Sequence, residues 1–487
     1  MSLKKILVKD TMQYSIANYI SMGVGIFLSI ASKAILGTLG AGYWAVMKIF
    51  LTYSAFADLG VRDAGLREMT QAAGAADEIT RIKIKNQSFT FTLFTAFFAS
   101  LTVVVISIFG VKDPFLKNCL YVVALLVVAT QLYNFMLTIF RAEKNIGTLS
   151  RIIVLNILFV AFFALTGAQL AGAFGFAAGT FVATALSAYF AYRMSRDHFH
   201  FEIDGKSLWK LVTIGFPLIV AGYALDTFLG VDSIMIGKML GIQSLGLYTI
   251  ALMAVQQINS LGRFSQIVLM PHIQERYGQA KSLVTSKALL VRSTSALMHL
   301  LPFMIGFVYF AVPVVVYFFL PRFQGGLPSM KILVVGYFFV AVNEMSTTIL
   351  FTVNKQKYLI PLFAAMTVVA IALNFFFIRM GYGLEGVAVA TSVAYFCYFL
   401  ALFFYGFGQL LDRRELIAMT GKTLFVFFYF AGTLFAVDKG IRTSHFIAGT
   451  AVKTVLYLLI LSPLLWKYER EEGLFKMVFD IIRMRRI

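Results

Sequence analysis

The segment Ala171–Tyr192 (AGAFGFAAGTFVATALSAYFAY) runs without a single charge. A helix needs about 20 apolar residues to cross a hydrocarbon core of roughly 30 Å. The segment Gly386–Leu410 (GVAVATSVAYFCYFLALFFYGFGQL) is uncharged in the same way. In lipid every backbone amide must be satisfied within the segment, so such runs are helices or strands of a closed barrel. Barrel strands alternate over about 10 residues, and these runs do not. Fourteen segments of this kind can be read, beginning with Thr11–Leu36 and Gly42–Val61 and ending with the short Thr423–Val437 and Phe446–Trp466. The pairs Ile152–Leu170 with Ala171–Tyr192 and Leu211–Ile236 with Leu245–Met270 lie between, as does Ile332–Thr352. The first segment is longer than the apolar stretch of a cleaved signal and reads as helix one.

Composition agrees. The 487 residues are 60% hydrophobic and only 13% charged, against about 25% charged for a soluble globule. An ordinary soluble enzyme, a disordered chain and a disulfide scaffold are excluded, and Cys119 and Cys397 both sit inside apolar runs. The sequence therefore predicts an all-α integral membrane protein with about 14 transmembrane helices.

The formal net charge is nonetheless +19. If the N-terminus is cytoplasmic and the spans alternate, 30 of the 42 Lys and Arg fall in cytoplasmic segments and 8 in outer loops. That is the positive-inside pattern, with both termini cytoplasmic. The surplus is topology and attraction to anionic membrane lipids, and it predicts no nucleic-acid partner. Near the C-terminus Leu474, Phe475, Val478, Ile481 and Ile482 share one helical face, with Lys476, Arg483, Arg485 and Arg486 around it. This pattern suits a helix lying on an anionic leaflet.

The most polar junction, Arg193–Lys210, divides the chain into a six-helix lobe at 1–210, a second at 211–410, and a helix pair with a basic tail at 411–487. A faint internal echo accompanies this division: Gly42-Tyr43 returns as Gly246-Leu247-Tyr248, and Leu59-Gly60 as Leu261-Gly262. Duplicated halves of equal length favour a transporter with a central site between them. No Walker-type phosphate-binding loop (G-x-x-x-x-G-K-S/T) occurs and no His/Cys metal spacing, with His198 and His200 in a polar loop. The outer loops are too short to house glycosyl-transfer chemistry, so no enzyme and no cofactor is expected.

Eight ionisable residues fall within the helices: Lys33, Lys48, Asp58, Asp226, Asp232, Arg263, Glu344 and Lys453. Each is expensive there unless paired or hydrated, and so is a functional candidate. Lys33 is near a helix end and can snorkel; Asp58 and Arg62 are four apart and can pair; Asp232 can cap its helix or pair with Lys238; Lys453 reads as an anchor. Lys48, Asp226, Arg263 and Glu344 are harder to explain by position. Two readings stand: an internal salt bridge of Asp226 or Glu344 with Arg263, or a hydrated cavity. In the cavity reading the bases hold an anionic head group, and Asp226 and Glu344 carry a coupling proton or sodium ion. Asn259 and Tyr223 belong among the polar and aromatic positions that such a cavity, or plain helix–helix packing, would use.

Two motifs carry a resemblance. Phe56-Ala-Asp-Leu-Gly-Val-Arg-Asp-Ala-Gly-Leu-Arg-Glu-Met69 resembles the helix-two ending of the polysaccharide-transporter family of lipid-linked oligosaccharide flippases. Asp232-Ser-Ile-Met-Ile-Gly-Lys-Met-Leu-Gly241, with Leu245-Gly-Leu-Tyr-Thr-Ile-Ala251 and Pro271, is similar to that family's helix seven-to-eight junction. The resemblance implies the fold of the multidrug/oligosaccharidyl-lipid/polysaccharide exporter superfamily, with two six-helix lobes. It also implies a polyprenyl-diphosphate-linked oligosaccharide as cargo, with Lys48, Arg263 and Lys33 toward the diphosphate. Polysaccharide polymerase and glycosyltransferases would be partners, in a bacterial or archaeal inner membrane. An ion-coupled multidrug or organic-cation antiporter is the alternative on the same architecture. A membrane glycosyltransferase or polymerase is a third.

Overall fold

The computed structural model describes residues 3–195, 199–280, 282–353, 355–441 and 446–472. Side chains at 3–11, 218, 261–268, 271–272, 275–276, 278, 280, 467 and 471–472 fall outside that description. The basic face expected after Leu474 lies outside the described residues, as does His198. Every regular element among the described residues is helical, the outcome that an apolar solvent imposes on unpaired amides. In chain order the first are α1 (Leu3–Ser54), α2 (Val61–Gly74), α3 (Glu78–Gly110), α4 (Pro114–Ala142) and α5 (Ile146–Met194). Then come α6 (Gly205–Met239), α7 (Ile242–Ala280), α8 (Lys287–Phe319), α9 (Leu327–Gly336) and α10 (Phe338–Val342). The last are α11 (Glu344–Thr352), α12 (Leu359–Arg379), α13 (Gly383–Phe407), α14 (Arg413–Gly440) and α15 (Phe446–Glu472).

Eleven stretches of the described residues are long and apolar enough to span a membrane, fewer than the fourteen expected. Two of the eleven turn in the middle at a residue of positive φ. The backbone of α1 turns at Gly37 (φ 65°) and that of α5 at Ala171–Gly172 (Gly172 φ 56°). Both breaks fall where the sequence divides one apolar run from the next, and glycine reaches positive φ without strain. The run expected at Leu245–Met270 lies on α7, which is not among the eleven and carries most of the undescribed side chains. The short Thr423–Val437 becomes part of a 28-residue helix, because Asp412 and Glu415 form a reciprocal capping box that starts α14 early.

The chain groups into two compact units, Met1–Asp226 with Gly241–Gly246, and Thr227–Leu240 with Leu247–Ile487. In the first, Met47 on α1, Cys119, Leu120, Val123 and Val127 on α4, and Ala177 on α5 form a fully buried cluster. Small residues let the two arms of α5 close on each other: Ala164 and Ala168 pack with Phe176. The glycine echo acquires a physical meaning here. A methyl on Gly42 would overlap the carbonyl of Ile242, and one on Gly246 the carbonyl of Thr38. The two related segments thus seat against each other.

The stretch after the second apolar run, which lies outside the spans read from the sequence, forms α2. Val61, Ala64, Met69 and Ala72 bury one face of it at helical spacing. A left-handed turn at Leu59 (φ 49°) and Gly60 (φ 78°) separates it from α1. The polar junction also proves structured. The amide of Glu202 donates to Thr90 Oγ1 (3.0 Å), that of His200 to Asn86 Oδ1 (3.3 Å), and Lys83 Nζ meets Asp204 at 2.7 Å. Residues 199–204 are therefore laid along α3.

In the second unit Phe399, Phe403 and Phe407 stack in sequence along α13, with ring centroids 5.1 and 4.8 Å apart. The helix expected to run unbroken over Ile332–Thr352 is interrupted instead, as α9, α10 and α11. Asn343, at the second break, donates from Nδ2 to the carbonyls of Tyr398 (3.5 Å) and Phe399 (3.4 Å) and accepts from Ser346 Oγ.

Candidate functional site

The first unit gathers one polar centre around the end of α1. Asp58, 2% exposed, pairs with Arg62 at 3.3 Å, the i,i+4 contact predicted from the sequence. Arg62 also donates to Gln131 Oε1 (3.2 Å), and Gln131 Nε2 donates to the carbonyl of Ser54 (3.1 Å). The turn at Leu59–Gly60 is thereby locked to α4. On α6 the ring of Tyr223 contacts that of Phe56, and its hydroxyl lies in the field of Arg62, Asp226, Asp58 and Asp63. The structure thus brings Tyr223 and Asp226, which the sequence offers separately, to the Asp58–Arg62 pair that the spacing predicts. Asp226 itself is exposed.

Lys33 and Lys48 stand on the two arms of α1, on either side of the break at Gly37. Lys33 donates to Ser29 Oγ (2.8 Å) and to the Ser29 carbonyl (3.3 Å), while Lys48 is exposed. Their positive charges are close enough to repel each other. Two ammonium groups in each other's field, with no carboxylate among the described residues bonded to either side chain, concentrate positive charge along α1.

A second polar centre lies in the other unit, and the sequence did not reveal it. Asp232 is 1% exposed. Of the two roles the sequence offers it, capping its helix or pairing with Lys238, it shows neither: it lies within α6, and its described partners are neutral. Tyr248 donates its hydroxyl to Oδ2 (2.7 Å), and the amide and hydroxyl of Ser233 donate to Oδ1 (2.6 and 3.1 Å). Tyr248 also shares a side-chain hydrogen bond with Thr391, whose Oγ1 donates to Asn374 Oδ1 at 3.5 Å. The Asn374 amide nitrogen is buried with no hydrogen-bond partner. Tyr395 stands in the carboxylate's field and packs edge-on against Tyr337. Among the described residues no Lys or Arg bonds to Asp232. A buried carboxylate surrounded only by neutral groups requires a positive charge, either a proton or a small cation. Its neighbours are oxygen donors of the kind hard cations take. The sequence signal was present in the Asp232-Ser233 and Gly246-Leu247-Tyr248 motifs, but spacing alone could not show that sixteen residues of separation close into a 2.7 Å hydrogen bond.

The remaining expectations fare variously. Glu344 is half-buried and opens α11 directly after the break at Asn343, so it sits at a helix N-terminus and not deep in a continuous helix. A carboxylate is favoured there by the helix dipole, and Tyr398 lies in its field. Asn259 is half-buried on α7. Arg263 is also on α7, and its side chain lies outside the described residues. Lys453, expected to be an anchor, instead meets Asp438 at 3.0 Å in a network with Lys331.

Residues 7–276 match the model of a family described as polysaccharide biosynthesis protein, which is more than half of the chain. The chain belongs to that family. No curated protein matches it in sequence. Among solved structures, this member of the polysaccharide biosynthesis protein family is similar to the lipid II flippase MurJ in an inward closed conformation. That match has 14% identity and a TM-score of 0.69, covering 94% of this chain and 99% of that one. It is also similar to an inward-facing multidrug resistance MATE transporter of the MOP superfamily, with 14% identity, a TM-score of 0.62, and 84% and 99% coverage. A MOP superfamily transporter from Pyrococcus furiosus matches with 15% identity, a TM-score of 0.59, and 85% and 96% coverage. At such identities the likeness establishes a shared fold.

Proposed function

We propose that this protein is a flippase that moves a polyprenyl-diphosphate-linked oligosaccharide from the cytoplasmic to the outer leaflet by alternating access, coupled to a proton or sodium ion. The observation that carries the reading is the division of labour between two polar centres in a family tied to polysaccharide biosynthesis. One is a pair of mutually repelling lysines, Lys33 and Lys48, suited to a diphosphate. The other is the buried Asp232 centre, suited to a cation.

The physical task is desolvation. Each sugar hydroxyl taken into hydrocarbon without a partner costs several kcal/mol, and a polar path with fixed donors replaces the lost water. Lys33, Lys48 and Arg263 hold the diphosphate, while Tyr223 and Asn259 contact sugar. A cation can drive the cycle only if its affinity differs between the inward and outward states. Asp232 fits that role through its burial and its shell of neutral oxygens. Asp226 and Glu344 are further coupling candidates, exposed and half-buried respectively. The Asp58–Arg62 pair fixes the turn that joins α1 to α2 and acts as structure. No catalysis is assigned. The protein would sit in the inner membrane of a bacterial or archaeal cell with both termini cytoplasmic, near anionic lipids. The glycosyltransferases that build its cargo and the polymerase that consumes it would be its partners.

The likeness to multidrug transporters supports a second reading, an organic-cation antiporter. One assay separates the two: reconstitution into vesicles with a defined lipid-linked oligosaccharide or with ethidium, under imposed sodium and proton gradients. Gradient-driven protection of the oligosaccharide, lost in Lys33→Ala and Lys48→Ala, supports the flippase. Ethidium movement with no oligosaccharide flipping overturns it in favour of the antiporter.

A further inference from the structure

The second unit holds an apolar groove of about 470 Å³ lined by α8, α9, α10, α13 and α14. Phe339, Val393, Phe396 and Phe427 line it, together with Phe428 and Phe435. The last two are 68% and 61% exposed, so the groove opens sideways to the surroundings of the helices and is not sealed inside them. Its depth comes from Gly336: a methyl there would overlap Ser392, so α9 and α13 approach each other closely. The walls offer water few partners, since the Ser392 hydroxyl donates to the carbonyl of Ala388 (2.7 Å) and the other polar groups, Tyr309 and Lys331, lie together at one end.

One end of the groove is charged. Lys331 Nζ lies 2.6 Å from Asp438 Oδ2, Lys453 Nζ lies 3.0 Å from Asp438 Oδ1, and Tyr309 donates to the same carboxylate (2.9 Å). Two ammonium groups on one carboxylate leave an excess positive charge. Lys439 adds another, exposed and with its Nζ 4.4 Å from the ring of Phe435. An apolar slot open to lipid, with a cationic rim at the end of α14, matches an amphiphile with a hydrocarbon tail and an anionic head.

We propose that this groove holds one acyl chain of an anionic glycerophospholipid, whose phosphate meets Lys331 and Lys439 at the rim. In the orientation expected from the charge sorting, the lipid belongs to the outer leaflet. The site is separate from the cargo path and does not rest on the flippase reading, because binding is measured without transport.

The test uses the full chain purified in a neutral detergent and native mass spectrometry. The probes are palmitoyl-oleoyl phosphatidylglycerol and phosphatidylcholine with the same chains. One phosphatidylglycerol retained per chain is expected, at least tenfold above phosphatidylcholine. Val393→Trp, which fills the groove from a lipid-facing position, should abolish the adduct. Lys439→Gln, a change at an exposed residue, should reduce the preference for phosphatidylglycerol severalfold while the protein stays folded by circular dichroism. Equal retention of both lipids, or a preference unchanged in Lys439→Gln and Val393→Trp, overturns the proposal. Displacement of phosphatidylglycerol by inorganic phosphate alone would reduce the site to a free-anion site. Displacement by polyprenyl phosphate at equal concentration would assign the groove to the cargo. Either result also overturns it.

Discussion

Asp58 and Asp232 are both buried carboxylates in this chain, 2% and 1% exposed, the first at the turn that ends α1 and the second within α6. One is held by an arginine at 3.3 Å, and that arginine is itself held by a glutamine. Among the described residues the other is bonded by a tyrosine, a serine hydroxyl and the backbone amide of that serine. The difference decides what each can do. A carboxylate with a permanent guanidinium beside it has its charge balanced at all times, so it can lock a turn but cannot report the presence of an ion. A carboxylate with neutral donors is balanced only when something arrives. Burial alone therefore does not make a carboxylate responsive to a cation; burial without a fixed counter-charge does.

The largest effect should come from Asp232. Asn in its place keeps the shape and an oxygen for Tyr248 but needs no cation. The stimulation of transport by an imposed ion gradient should then fall by about 5- to 150-fold, the range of ordinary coupling energies. Asp58→Asn should leave that stimulation intact. If the two variants behave alike in gradient-driven vesicle assays, the contrast between them is broken.

Next comes stability. Arg62→Leu strands the Asp58 carboxylate, and removing one partner of a buried pair costs about 3–5 kcal/mol. The lower end is expected, because the Arg62 side chain is 17% exposed. Unfolding of the detergent-solubilised protein measures it, and Asp58→Asn combined with Arg62→Leu should recover most of the loss. Smaller still is the contrast between two related tyrosines. Tyr248→Phe removes a donor from a buried carboxylate, worth about 1.5–3 kcal/mol. Tyr43→Phe removes a 2.6 Å bond to Asp113, which already accepts from the amide of Phe115, and should cost less. Equal losses would mean that the missing counter-charge at Asp232 carries no energetic weight.

Much of this was legible in the chain. Apolar runs longer than a bilayer is thick leave only helices, and the Asp58–Arg62 pair follows from a spacing of four. Three features were not. The residues of α2 are too polar to register as a span and too regular to be a loop, and only burial of Val61, Ala64, Met69 and Ala72 reveals which face packs. The interruption of Ile332–Thr352 is set by Asn343 bonding to carbonyls of α13, more than fifty residues away in sequence. The Asp232 centre depends on Tyr248, Thr391 and Asn374 arriving from three other helices. Local pattern fixes helices, whereas polar centres are made by partners distant in the chain.

Asp204 completes the comparison with a third carboxylate, paired as Asp58 is but standing in water. Its acid is held below the usual range by the Lys83 ammonium 2.7 Å away, with help from the amides of Lys206 and Ser207. A depressed folded-state value means that its contribution is complete above the unfolded value of about 3.9 and is lost as the pH falls through the lower folded value. The segment 199–204 should therefore stay docked on α3 from neutral pH down to about pH 4 and loosen only below it. Hydrogen exchange at the Glu202 amide, corrected for its intrinsic rate, reads the change. Lys83→Gln should move the step upward in pH and make it insensitive to salt, because exposed pairs are screened. No such response is expected at Asp58, whose partner is enclosed with it, and a matching shift there would erase the distinction between the enclosed pair and the exposed one.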